Sequence, residues 1–101
     1  MSESAVRMSE TGELLLSGVL DYRSGPDLRK QGQALIKSSK ATAVVVDCSA
    51  VVKSSSVGLS LLLCFMRDAE AAGKAVSIRA MPEDMREIAQ VSELTELLAH
   101  P

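Results

Sequence analysis

The chain has 101 residues, 47% hydrophobic and 24% charged, with 13 acidic side chains against 11 basic ones and a net charge of −2. That length and balance fit one globular domain, residues 1–101, and exclude a disordered tail. The charges are mixed in sign along the chain, and only Tyr22 and Phe65 are aromatic, so the basic stripe and stacking platforms that nucleic acid requires are missing.

With two aromatic residues, aliphatic side chains and Ala are left to build the core, and a core without a large aromatic anchor is expected. The start, Met1-Ser2-Glu3-Ser4-Ala5, lacks the basic and apolar regions of a secretory signal. The longest apolar run, Leu61 to Met66, falls far short of the ~20 residues that cross a bilayer. A cytoplasmic chain without direct membrane insertion is the expectation. Cys48 and Cys64 are not spaced as CxxC, and they read as reduced, partly buried thiols.

Arg7 to Leu20 predicts a hairpin. Ala5-Val6-Arg7-Met8 alternates, Glu10-Thr11-Gly12 supplies the turn, and Glu13 to Leu20 forms the second strand. Leu14-Leu15-Leu16 is apolar on both faces, which suits the middle of a sheet. Ser24 is the predicted N-cap of a first helix, with Pro26 in its first turn and Asp27 as a carboxylate variant of the capping box. Leu28, Leu35 and Ile36 share one face, and Lys37, Ser39 and Lys40 close the helix. Ala43-Val44-Val45-Val46 is a β-branched run that predicts a buried parallel strand, with Asp47 marking its end.

A second helix is predicted from within Ser54-Ser55-Ser56 to Gly73, followed by a strand over Ala75 to Arg79. Pro82-Glu83-Asp84 opens a third helix with Met85, Ile88 and Ala89 inward. Ser92 caps a short last helix carrying Leu94, Leu97 and Leu98. The resulting order, β-β-α-β-α-β-α-α, contains strand–helix–strand crossovers and predicts an α/β fold with helices packed on a mostly parallel sheet.

The second helix carries more apolar surface than one face requires. Leu59, Leu62, Leu63, Met66 and Ala69 gather on the side expected to cover the sheet. The opposite side of its first turns carries Val57, Ser60, Leu61 and Cys64, and becomes charged only from Arg67 and Asp68 onward. Another element of the domain, such as the C-terminal helix, could cover that second stripe. The chain has few elements to spare, so an exposed patch buried by another protein is expected. The small side chains of Ser56, Ser60 and Cys64 would let a partner helix approach closely. Ser54 and Ser55 are read as helix-capping hydroxyls. Ser56 differs, because it borders the spare face. A phosphate there would be favoured by the helix dipole, yet would place about two negative charges in an apolar interface.

Two segments resemble the STAS domain family, which includes anti-sigma factor antagonists such as SpoIIAA: Gly18-Val19-Leu20-Asp21 at a strand end, and Asp47-Cys48-Ser49 followed by Ser55-Ser56-Val57-Gly58-Leu59. The resemblance implies the STAS fold, a small mixed sheet with helices packed against it, over nearly the whole chain. It places the family's regulatory hydroxyl on Ser56. The runs Leu16 to Asp21 and Gly58 to Leu63 look most like the MlaB-like branch. That branch implies a regulatory subunit bound to the ATPase (MlaF-like) of an ABC transporter that moves phospholipids for outer-membrane asymmetry, with Ser55, Ser56, Val57, Ser60, Leu61 and Cys64 at the contact. Two departures stand out. The family's acidic residue before the regulatory hydroxyl is Ser55 here, and the small residue after it is Val57.

The competing role in the same family is an anti-sigma factor antagonist switched by phosphorylation at Ser56. An enzyme is the least supported class. The sole histidine, His100, is next to the C-terminus, and no phosphate loop or metal-ligand cluster appears, so no cofactor is expected. Asp21 and Asp47 read as turn and cap residues. Direct phospholipid binding would need a basic amphipathic helix, and none is visible.

Overall fold

The computed structural model describes residues 4–91. Its elements are β1 (Ala5–Met8), β2 (Glu13–Leu20), α1 (Gly25–Ser38), β3 (Ala43–Ser54), α2 (Ser56–Ala71), β4 (Ala75–Arg79) and α3 (Glu83–Val91). One sheet runs in the order β1-β2-β3-β4. β1 and β2 pair antiparallel, whereas β2–β3 and β3–β4 are parallel. The expected hairpin and the mostly parallel sheet are therefore present. The last predicted helix, from Ser92, lies outside the described residues.

The strands advance in one direction across the sheet, so right-handed crossovers put α1 and α2 on the same face. Beneath them lie Leu14, Leu16 and Leu20 of β2 with Val44, Val46 and Cys48 of β3, all buried. Leu15, on the other face, is only half-buried. The core is not purely aliphatic as expected. Phe65, the largest of its fully buried side chains, sits at the α1–α2 contact beside Gly32. The sequence contains only one Phe, but α1 places a glycine where the ring needs room.

β3 is longer than expected. It continues past Asp47 to Ser54, and two register shifts against β2 give it two extra residues there. Such bulges bend a strand and redirect its side chains. Asp47 is therefore an interior strand residue, opposite Leu15 on β2 and Arg79 on β4. Its carboxylate joins Arg79, which also bonds Glu13, on the sheet face away from the helices.

Helix ends follow local chemistry. α2 stops at Gly73, whose φ of +73° suits a residue without a Cβ. Lys74 Nζ then donates to the carbonyls of Ser39 and Ala41, both at 2.6 Å, pinning the α1–β3 loop. Ser24 stands at the start of α1, but its side chain does not cap it. Its hydroxyl instead donates to Val19 O at 3.0 Å.

Candidate protein-docking edge

The carboxyl ends of β2 and β3 converge on the start of α2, and three local devices fix the backbone there. First, Asp21 Oδ1 accepts from the backbone N–H groups of Arg23 and Ser24 (2.9 and 3.2 Å), a tight turn between β2 and α1. The Arg23 backbone bond does most to hold the Asp21 carboxyl below its ordinary pKa.

Second, Ser55 is the N-cap of α2. Its Oγ accepts from Val57 N at 3.2 Å and donates to Leu20 O at 3.3 Å, and its own N–H donates to Leu20 O at 3.0 Å. One serine thus caps the helix and ties it to β2, as an N-cap hydroxyl is expected to do. Third, Gly58 lies flush against Ser54. A Cβ on Gly58 would fall 2.0 Å from Ser54 Oγ and 3.2 Å from Leu20 Cβ. Ser54 is buried and donates its hydroxyl to Ser55 O at 2.9 Å, so it is not the helix cap that the sequence suggested.

Ser56 is the first residue of α2 and is exposed. Its hydroxyl makes no hydrogen bond among the described residues, while its carbonyl accepts from Ser60 Oγ at 3.3 Å. Ser60 is also exposed, and Cys64 is half-buried one turn further on. These residues, with Leu63 and Arg67, form the outward stripe of α2. Ser56 is thus held on a fixed backbone with its hydroxyl directed to solvent.

The expected apolar patch is corrected in one respect. Leu61 is only 4% exposed and belongs to the core. Val57 is half-buried, and its Cγ1 leaves no room for a Cβ on Gly25, which would come within 2.7 Å. Val57, Leu61 and Phe65 follow one another at helical spacing along the side that α1 covers. The glycines Gly25 and Gly32 let α1 lie close enough to hide that stripe. Of the second stripe, α1 thus hides Leu61 and part of Val57 within the domain, while Ser60 is exposed and Cys64 half-buried. Leu63, expected on the core face, is half-buried at the rim.

Sequence reasoning missed two exposed apolar side chains at these strand ends. Tyr22 is 76% exposed in the β2–α1 turn, with the Arg23 guanidinium 5.8 Å from its ring centre. Val52 is 72% exposed near the end of β3. Tyr22 could have been found from its place immediately after Asp21 in a turn. Val52 could not, because the strand was expected to end at Asp47.

The thiols match expectation: both are free, Cys48 buried and Cys64 partly so. Burial pushes the Cys48 thiol up to about 12, so it stays protonated and inert. No group of His, Cys, Asp and Glu among the described residues could hold a metal ion. No helix among them is long and apolar enough to cross a membrane.

The profile of the family described as "Mlab, STAS domain" matches residues 4–99, and the chain belongs to that family. Solved structures agree with the fold. A chain of the Acinetobacter MlaFEDB complex in an ATP-bound conformation is 25% identical, with a TM-score of 0.77 over 92% of this chain and 97% of that one. The unphosphorylated anti-sigma factor antagonist SpoIIAA is 20% identical, with a TM-score of 0.72 over 93% and 84%. An anti-sigma factor antagonist from Mycobacterium paratuberculosis is 23% identical, with a TM-score of 0.67 over 97% and 83%. Among curated proteins nothing matches.

Proposed function

We propose that this STAS domain is a non-catalytic regulatory subunit that docks onto the ATPase of a phospholipid-moving ABC transporter, supporting its assembly and activity. The likeness to a chain of MlaFEDB carries this reading, because it extends over nearly all of both chains. Its place would be cytoplasmic, held at the inner membrane through the ATPase and, indirectly, the permease. The transported phospholipids would serve outer-membrane lipid asymmetry.

The docking surface of this reading is the edge where β2 and β3 end and α2 begins. Ser55, Ser56, Val57, Ser60 and Cys64 belong to it. Tyr22 and Val52 add exposed apolar area there, of the kind that interface cores favour. Leu61 is not part of it, since a partner cannot reach it. The fixed cap at Ser55 limits the ordering cost of association, because little backbone remains to be immobilised.

The test is a pull-down from the native host with partners identified by mass, repeated with Ser56→Glu and Tyr22→Ala. Recovery of an ABC ATPase by the wild type and its loss in both variants would support the reading. Capture of an anti-sigma kinase instead would point to the second reading, an antagonist switched at Ser56. The exposed, unbonded Ser56 hydroxyl at a helix N-terminus favours that alternative, since a kinase could reach it and the helix dipole would tolerate the phosphate.

A further inference from the structure

β3 outlasts its neighbour. β4 pairs with β3 only from Ala43↔Ala75 to Asp47↔Arg79, whereas β3 runs on to Ser54. Along that extension the outer edge of β3 has, among the described residues, no strand to receive its N–H groups. Ser54 is buried, so water cannot readily replace the missing strand, and a buried backbone donor without an acceptor is costly. The chain resolves this from the far side. After β4, Ala80 turns with a φ of +59° and α3 begins at Glu83. Asp84, in the first turn of α3, then accepts from Ser54 N at 3.1 Å through Oδ2. Its Oδ1 meanwhile accepts from Met85 N at 2.8 Å.

We infer that Asp84 is a positioning residue for the docking edge: it stands in for the absent strand at Ser54 and so sets where Ser55 and Ser56 are presented. This rests on the docking reading above. The chain of contacts is short. Asp84 holds Ser54 N–H, Ser54 Oγ holds Ser55 O, and Ser55 caps the helix that begins with Ser56. β2 grips Ser55 from the other side through Leu20 O. Ser56 is therefore fixed by β2, α2 and α3 together, although α3 itself need not touch the partner.

The test uses isotope-labelled full-length chain, following amide exchange and backbone resonances at Ser54 to Val57, together with binding to the ATPase that co-purifies with the wild type. Asp84→Ala should speed Ser54 exchange at least about tenfold, shift the Ser54–Val57 signals and weaken ATPase binding roughly tenfold. Asp84→Asn, which keeps one acceptor oxygen of the same reach for Ser54 N–H but sets its NH2 against Met85 N–H, should recover part of all three. Ile36→Val, a core change away from the edge, should leave ATPase binding at the wild-type level. Should Asp84→Ala fail to fold, Asp84→Ser provides the same comparison, because its hydroxyl can still serve Met85 N–H but is too short for Ser54. Unchanged exchange and unmoved resonances in a folded Asp84→Ala or Asp84→Ser variant would overturn the inference. A wild-type chain that binds no ATPase defeats the docking reading instead, and the exchange and resonance measurements still decide the role of Asp84.

Discussion

Gly32 on α1 and Phe65 on α2 occupy a single packing position between them: a Cβ on Gly32 would lie 2.2 Å from Phe65 Cε1. The ring is fully buried, so it has nowhere to retreat. Gly32→Ala should gain about 1 kcal/mol of helix propensity and lose more to overpacking, about 1–3 kcal/mol. A net loss is expected, read as a lower urea midpoint at an unchanged slope. Phe65→Ala should cost about 3–5 kcal/mol. A Gly32→Ala protein more stable than wild type would show that the two helices can separate cheaply.

Leu61 and Ser56 lie little more than one turn apart on α2 yet should respond oppositely to an introduced charge. Leu61→Asp would bury an unpaired carboxylate between α1 and α2, and circular dichroism should show an unfolded chain. Ser56→Glu should keep a melting temperature within a few degrees of wild type, since the position is exposed and a carboxylate suits a helix N-terminus. Only the second variant tests docking. A folded Leu61→Asp protein would mean that α1 does not cover this stripe in solution.

Gly58 should be intolerant of even one methyl group. Its Cβ would collide with Ser54 Oγ, so Gly58→Ala must push α2 away from β3, at about 1–3 kcal/mol. Ser54→Ala in the same chain removes the oxygen and should recover part of that loss. The double mutant should then be more stable than the sum of the single changes indicates. Simple additivity in denaturant melts would show that the two residues do not meet.

Asp47 gives stability a pH dependence. Arg79, followed by Ser49, lowers its pKa from 3.8 to about 2. A carboxyl lowered on folding stabilises fully above its ordinary value, and the contribution fades as pH falls toward the folded value. Arg79 also holds Glu13 below the ordinary range, which adds to the same trend. Stability should therefore fall between about pH 4 and pH 2 more steeply in the wild type than in Asp47→Asn. Urea midpoints across that range provide the measurement, and parallel curves would remove Asp47 from the account.

Among the described residues, the sequence by itself determined which elements form and in what order. The alternation in β1, the β-branched start of β3, the serines before α2 and the glycine after it are local signals, and local sterics and hydrogen bonding act on them directly. It also identified α2 as a helix with two apolar stripes, starting within Ser54-Ser55-Ser56, and Ser56 as the serine that borders the second stripe.

What covers the second stripe was decided only in three dimensions. Gly25 and Gly32 look like weak helix formers in sequence, and only the approach of α1 to α2 turns them into the space that Val57 and Phe65 fill. The length of β3 was hidden for a related reason. Past Asp47 its side chains no longer alternate in a simple way, because two extra residues bulge against β2 and the outer edge is met by Asp84 from α3 rather than by a strand. Close packing and backbone hydrogen-bond completion depend on residues distant in sequence, so no local pattern records them.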